Sequence, residues 1–192
     1  MRVIAGSMKG MRLYAGKDSP VRPTEDRTKE TLFNILQPLH ADAVVLDLYG
    51  GTGSIAIEFL SRGAAFAHIN DISKDSIRTI LKNIAHTKVE DRCLVTNADA
   101  VRKLKKVLSQ GIRFDYIYID PPFGHGYVKR ALTAINICDI LSANGLVITE
   151  QERGAAPVPS EHLICVDERV QGAKSLHFYR GASHAGNLSG QF

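Results

Sequence analysis

From residue 43 onward, short apolar runs alternate with segments whose apolar residues recur at helical spacing. Continuous apolar residues are typical of parallel strands buried on both faces, so the runs predict five strands. They lie at residues 44–48, 66–70, 92–96, 114–119 and 145–150. Helices are predicted between them at residues 53–61, after a cap at Ser73, and at residues 99–109 and 127–141. This alternation predicts an α/β protein with a doubly wound, Rossmann-like sheet that is mostly parallel.

The alternation fails at both ends of the chain. Residues 162–167 and 174–180 are strand-like and too close together for a helix between them, which predicts an antiparallel last strand. Residues 2–6 and 10–14 flank a glycine-containing turn and predict an N-terminal β-hairpin, followed by a helix from Thr24 to about Gln37. We therefore divide the chain into a hairpin and loop (1–23), a main domain (24–180) and a flexible tail (181–192).

Composition places the chain among ordinary globular proteins, with 192 residues of which 44% are hydrophobic and 23% charged. The sequence has no run of 18 apolar residues and no signal peptide, so we expect a cytoplasmic protein without a membrane partner. Three widely spaced cysteines are typical of core residues and do not predict a metal site. We expect a monomer.

The net charge of +4 is concentrated at the N-terminus. Residues 1–23 carry five basic side chains against one acid, Asp18, whereas residues 24–192 carry 19 of each sign. Such a patch suits a nucleic-acid backbone, and a lysine-rich outer face on the helix predicted at 99–109 is the alternative surface. The predicted RNA-binding residues are Arg2, Lys9, Arg12, Lys17 and Arg22.

The ends of the first four predicted strands each carry an acid, and these acids are Asp47, Asp71, Asp99 and Asp120. Ligands of such sheets bind at the carboxyl ends of the strands. Four carboxylates at one rim predict a polar cleft for a ligand with hydroxyls, amines or positive charge.

The glycine loop after the first strand has two interpretations. Gly51, Gly53 and Ala56 fit the G-x-G-x-x-A spacing of dinucleotide-binding proteins, which favours a nicotinamide or flavin cofactor. However, Asp47 would repel a pyrophosphate, whereas S-adenosylmethionine has a positive sulfonium and no phosphate. In that case Asp47 would serve the methionine end, Asp71 the ribose and Asp99, with Ala100 beside it, the adenine amine.

The loop Asp120-Pro121-Pro122-Phe123 follows the fourth strand. Two prolines make it rigid, and the Asp120 carboxylate and Pro121 carbonyl can both accept hydrogen bonds from one NH2 group. Phe123 can stack on the ring that carries this amine. Such acceptors free a nitrogen lone pair that is otherwise delocalised into the ring, so the loop predicts methylation of a nucleobase amine.

These motifs resemble a known family. Residues 45–53 resemble the first motif of S-adenosylmethionine-dependent methyltransferases, and Asp120-Pro121-Pro122-Phe123 resembles the fourth motif of the amino-methyltransferases. Residues 2–6, Arg22-Pro23-Thr24 and residues 29–34 resemble the bacterial small-subunit ribosomal RNA guanine-N2 methyltransferases, the RsmD-like family. The similarity runs from about residue 2 to 180, with one departure, Tyr49-Gly50 in place of Phe-Ala.

The resemblance implies methyl transfer from S-adenosylmethionine to the exocyclic N2 amine of a guanine in 16S rRNA, free or in the small ribosomal subunit. It implies a methyltransferase domain over residues 24–180, with Asp120, Pro121, Pro122 and Phe123 as catalytic residues. The implied cofactor residues are Asp47, Tyr49, Gly50, Gly51, Gly53, Asp71, Asp99 and Ala100.

The residues alone do not choose guanine over adenine or RNA over DNA, so an N6-adenine methyltransferase remains an alternative. Asp47 argues against a nicotinamide-dependent oxidoreductase, and the intact Asp120 loop argues against a non-catalytic RNA-binding scaffold. Truncation to remove residues 1–20 is expected to leave a folded domain that binds the cofactor but does not act on RNA.

Overall fold

A computed structural model describes residues 1–15 and 23–182, with the side chains of 23–25 excepted. The helices are α1 (Pro23–Leu36), α2 (Ser54–Ser61), α3 (Lys74–Thr87), α4 (Ala100–Ser109) and α5 (Tyr127–Cys138), with a short 3-10 turn at Glu90–Arg92. The strands are β1 (Val44–Asp47), β2 (Phe66–Asp71), β3 (Cys93–Asn97), β4 (Phe114–Ile119), β5 (Leu141–Glu152), β6 (Leu163–Gln171) and β7 (Lys174–Gly181). The chain forms two compact units, Met1–Ala100 and Val101–Phe192.

In the first unit the strand order is β3-β2-β1 and both pairings are parallel. β1 and β2 are almost wholly buried, and besides their apolar residues they bury the polar side chains of Asp47, His68 and Asn70. Since parallel strands end at the same edge, the residues that follow β1, β2 and β3 share one rim of this unit.

In the second unit the strand order is β4-β5-β7-β6. β4 and β5 are parallel, whereas β7 runs antiparallel to both β5 and β6. The predicted fold class, a mostly parallel α/β sheet with an antiparallel last strand, is confirmed.

The predicted boundary between α5 and β5 is wrong. The helix predicted over residues 127–141 ends at Cys138, because Asp139 has a left-handed backbone with φ 43°. Leu141 instead begins β5, where it pairs with Phe114 of β4. The apolar residue Leu141 fits either element by periodicity, so the sequence alone did not separate them.

The N-terminal segment reverses direction, with one antiparallel bridge between Arg2 and Arg12. Val3 N–H donates to Met11 O and Gly10 N–H donates to Val3 O, each at 2.9 Å. Val3, Met8 and Leu13 are buried in one cluster with the apolar side chains of α2 and α3. The segment therefore contributes to the core, and this packing argues against the expectation that residues 1–20 can be removed without loss of the fold.

The predicted lysine-rich outer face of α4 is wrong in one position. Lys103 is only 2% exposed, and burial, with a smaller effect of Lys106, lowers its pKa. Lys105 and Lys106 remain at the surface.

Among the described residues, no helix combines the length and the apolar character needed to cross a membrane.

Candidate functional site

The glycine loop connects β1 to α2 at the rim of the first unit. Gly50 N–H donates to the Asn70 carbonyl and Gly53 N–H donates to the Gly50 carbonyl, each at 2.7 Å. Gly51 and Gly53 have φ values of 56° and 78°, a left-handed conformation that favours glycine. The loop leads directly into α2. The first N–H groups of any helix have no partner within the helix and point out of its end.

Local packing accounts for Gly50, one of the two residues that depart from the motif that this loop resembles. A Cβ at this position would lie 2.6 Å from Cγ2 of Ile69 and 3.1 Å from Cδ1 of Ile80. The first distance is too short for two carbon atoms, so an alanine here would require Ile69 to move. Glycine at this position therefore leaves room for the side chain of Ile69 in β2.

Asp71, the residue predicted to bind a ribose, holds the glycine loop in place. Its Oδ2 accepts a hydrogen bond from Gly51 N–H and its Oδ1 accepts one from Ser73 N–H, both at 2.8 Å. The Ser73 side chain caps α3 by accepting from Ser76 N–H, as predicted. A carboxylate has about four lone-pair sites, so Asp71 retains capacity for two ribose hydroxyls.

Two asparagines tie the strand ends of the first unit together. Asn70 is 1% exposed, donates to the carbonyls of Leu48 and Ala98, and accepts from the Thr96 hydroxyl. Asn97 donates to the carbonyls of Asp71 and Ile72 at 2.9 Å. These bonds fix the spacing of the three strand ends that carry the predicted cofactor residues.

The predicted cofactor residues differ in accessibility. Asp47 is 1% exposed and Ala100 is 7% exposed, whereas Tyr49 is half-buried and Asp99 is exposed. A ligand that contacts Asp47 therefore has to enter below the surface of the rim. Ile72, which follows Asp71, is 69% exposed and offers an apolar surface beside these polar groups.

A buried carboxylate anchors the N-terminal segment to α2. Glu58 is fully buried, and its two oxygens accept from the N–H groups of Ile4 and Ala5 at 2.8 and 3.0 Å. Arg62 and Lys29 lie 2.8 and 3.5 Å from the same carboxylate, which compensates its charge. The backbone of the segment is thus fixed to the helix that begins at the glycine loop.

Asn83 of α3 links the same segment to the glycine loop. It is fully buried, accepts from Tyr14 N–H at 2.7 Å, and donates to the carbonyls of Tyr14 and Thr52 at 3.0 and 2.8 Å. The Tyr14 ring also lies under the Lys82 ammonium, 3.6 Å from the ring centroid.

The predicted RNA-binding residues lie partly within the described chain. Arg2, Lys9 and Arg12 are exposed on the N-terminal segment, and Arg2 lies 3.9 Å from Asp26. Lys17 and Arg22 fall outside the described residues.

The loop after β4 is the second candidate site, in the second unit. Pro121 is buried, whereas Pro122 is exposed and Phe123 is 44% exposed. Gly124, His125 and Gly126 then have positive φ values of 84°, 58° and 65°, which turn the chain sharply into α5. The loop borders a cleft of about 260 Å³ that is also lined by Glu150 and Val158.

The Val158 side of this cleft is held by Tyr179. Val158 N–H donates to the Tyr179 hydroxyl at 2.9 Å, and burial raises the pKa of Tyr179 to about 12. The hydroxyl therefore stays protonated at neutral pH, and its oxygen accepts the hydrogen bond from Val158 N–H.

Asp120 lies beside a buried charge network. Its Oδ2 is 3.7 Å from Nζ of Lys174, which also contacts the Glu150 carboxylate. Glu150 is 2% exposed and accepts a hydrogen bond from the Tyr118 hydroxyl.

Sequence reasoning missed Lys174, Glu150, Glu58, Asn83 and Ile72. Two of these residues could have been found from the sequence. Glu58 and Glu150 are single acids in mainly apolar segments that predict buried elements, and a buried acid needs a partner. Lys174 and Asn83 could not, since their contacts join distant parts of the chain.

Residues 1–180 match the family described as "Conserved hypothetical protein 95". The chain is 35% identical over 183 residues to "Putative rRNA methyltransferase YlbH" of Bacillus subtilis, covering 94% of this chain and 98% of the relative. It is 30% identical to "Ribosomal RNA small subunit methyltransferase D" of Escherichia coli, covering 94% and 89%. The solved "Putative methyltransferase yhhF from Escherichia coli" superposes with a TM-score of 0.83 at 29% identity, covering 94% and 97%.

Proposed function

The chain belongs to the family described as "Conserved hypothetical protein 95", and from that membership we propose that it is an S-adenosylmethionine-dependent rRNA methyltransferase. Its product is a guanine of 16S rRNA methylated on the exocyclic N2 amine. The main support is full-length similarity to relatives named as rRNA methyltransferases, in a chain whose fourth strand ends on the Asp120 loop. The reaction takes place in the cytoplasm, with residues 24–180 as the methyltransferase domain.

The first unit supplies the cofactor site in this proposal. Asp71, whose two oxygens accept from Gly51 and Ser73, would hold the ribose hydroxyls with its remaining acceptor capacity. The exposed side chain of Ile72 would offer the adenine an apolar surface, and Asp99 would accept from the adenine amine. The glycine loop and Asp47 would hold the methionine end. Bound there, the cofactor supplies an electrophilic methyl group on sulfur.

The second unit supplies the acceptor loop. Asp120 and the Pro121 carbonyl accept the two hydrogens of the target amine, which concentrates its lone pair on nitrogen. Phe123, exposed at the loop tip, stacks on the guanine ring. An amine that accepted the methyl group would become a positively charged nitrogen. The Asp120 carboxylate stabilises that charge until a proton leaves to water.

The target amine has to leave any base stack to reach such a loop. RNA recognition of this kind favours unpaired nucleotides, whose edges and faces are accessible. The exposed basic residues of the N-terminal segment would hold the neighbouring phosphates, and the Glu58 and Asn83 contacts keep that segment rigid.

The proposal is tested by incubating the protein with methyl-labelled S-adenosylmethionine and small ribosomal subunits from cells that lack the enzyme. Label is expected in 16S rRNA. Absence of label from both the subunits and naked 16S rRNA would overturn the proposal.

Replacing Asp71 with Ala is expected to weaken binding of S-adenosylmethionine and S-adenosylhomocysteine about tenfold or more, because two charged hydrogen bonds to the ribose are lost. The loop loses its Gly51 anchor in the same variant. Calorimetry with both ligands measures the effect. Asp75→Ala is the matched control, since Asp75 is an exposed acid that pairs with Arg78 of its own helix. Equal affinity of Asp71→Ala and wild type would remove Asp71 from the site.

Replacing both Lys9 and Arg12 with Gln is expected to flatten the salt dependence of RNA binding. Each phosphate contact to single-stranded RNA contributes about −0.7 to the log–log slope, so the slope should change by about 1.4. Filter binding of 16S rRNA fragments at several salt concentrations measures it. The control pair, Lys105→Gln with Lys106→Gln on α4, should leave the slope unchanged. If the slope changed in the α4 pair and not in Lys9→Gln with Arg12→Gln, the RNA would bind to α4 instead.

A further inference from the structure

We propose that Lys174 positions Asp120 for amine methylation, by sharing its ammonium between Asp120 and the buried carboxylate of Glu150. The inference rests on the proposed function and adds a residue to its site. Lys174 does not touch the reacting atoms in this proposal, so it is a positioning residue.

Sheet topology brings these three side chains together from three strands. β4 and β5 are parallel with Ile119 opposite Thr149, so Asp120 and Glu150 are the next residues of neighbouring strands. β7 runs antiparallel to β5 with Lys174 opposite Glu152, so β7 begins at the same edge. Lys174 therefore lies at the end of the sheet where the acceptor loop starts.

The distances show that Lys174 pairs mainly with Glu150. Its Nζ contacts Oε1 of Glu150, whereas it lies 3.7 Å from Oδ2 of Asp120. The second distance is too long for a hydrogen bond but lies within the range of an ion pair. Lys174 can therefore balance the charge of Asp120 without itself donating a hydrogen bond to that carboxylate.

Glu150 is held in turn from its other side. The Tyr118 hydroxyl donates to Oε2, and both Tyr118 and Glu150 are 2% exposed. Burial makes an uncompensated carboxylate costly, so Glu150 retains the lysine and limits its approach to Asp120. Asp120 is half-buried, with 31% of its side chain exposed to solvent.

Charge explains why the reaction needs this lysine. Without it, two carboxylates would stand at neighbouring strand ends, and like charges at that range favour uptake of a proton by one of them. Whenever Asp120 held that proton, one of its oxygens would be a donor and the carboxyl would be a weaker acceptor for the amine. With Lys174 in place the three groups sum to a charge of −1, which complements the positive nitrogen formed on methylation.

The test is a mutant cycle on the full chain with 16S rRNA as substrate. Lys174→Met is expected to lower kcat about tenfold, within the usual range for coupled charged neighbours, and to leave the KM for S-adenosylmethionine unchanged. Lys174→Arg, which keeps the charge, should retain most of kcat. In an Asp120→Asn background, where no carboxylate remains to be positioned, Lys174→Met should have no further effect.

Adding Glu150→Gln to Lys174→Met separates positioning from folding. The pair leaves no uncompensated buried carboxylate, so it should melt close to wild type, and kcat should return to within about threefold of wild type. Three results would each overturn the inference. They are a wild-type kcat in Lys174→Met, an equal loss of kcat from Lys174→Met in the Asp120→Asn background, and a kcat that does not recover when Glu150→Gln is added. Complete absence of transfer by the wild type would instead overturn the proposed function, and the inference with it.

Discussion

Asp120→Ala is expected to lower the rate of methyl transfer about 100-fold, because the amine loses one of two preorganised acceptors, worth roughly 3 kcal/mol by analogy with oxyanion-hole donors. The affinity for S-adenosylmethionine should stay unchanged, since the proposed cofactor contacts all lie in the first unit. Single-turnover kinetics with saturating cofactor and RNA measure the chemical step, and calorimetry measures the affinity.

The matched control is Glu161→Ala, which removes an exposed carboxylate of the same unit. It lies just before β6, whose first residue pairs with Gly181 at the far end of β7 from Lys174. Glu161→Ala should turn over as wild type. Wild-type turnover in Asp120→Ala would show that the loop is only structural.

Removal of residues 1–20 is expected to unfold the protein. Val3, Met8 and Leu13 are each at least 92% buried, and burying such a side chain stabilises by about 1.5–3 kcal/mol. Their combined loss, about 5–9 kcal/mol, is comparable to the whole stability of a typical domain, about 5–15 kcal/mol. Glu58 would also lose the N–H donors of Ile4 and Ala5 while it remains buried.

Thermal unfolding followed by circular dichroism measures this effect. The full chain with Lys9→Gln and Arg12→Gln is the control, since both side chains are exposed and their removal leaves the core intact. A truncated protein that melts at the wild-type temperature would contradict the packing of the N-terminal segment in the core.

The sequence predicted what depends on local pattern. β4 was predicted with its observed ends, because glycine before it and Asp120-Pro121-Pro122 after it bound a mainly apolar segment. The Ser73 cap was found because a hydroxyl before a helical segment has one common role. Asp47 and Asp71 were predicted at strand ends because each closes a mainly apolar segment, and each is the last residue of its strand.

The sequence could not predict contacts between distant residues. The basic N-terminal segment was taken as a detachable arm because charge dominates its composition, whereas the three apolar residues among those charges fill the core. Lys174 follows a turn 54 residues after Asp120, and only the β5–β7 pairing brings it close. Asp71 was predicted as a ligand contact, but its role in holding Gly51 requires the folded loop.

The identity of the methylated nucleoside tests the central claim most directly. Small subunits and naked 16S rRNA from cells lacking the enzyme are treated with the protein and S-adenosylmethionine, digested to nucleosides and analysed by mass spectrometry. The proposed function predicts N2-methylguanosine as the new nucleoside, absent when Asp120→Ala replaces the wild type. N6-methyladenosine in its place, or no new methylated nucleoside, would contradict it.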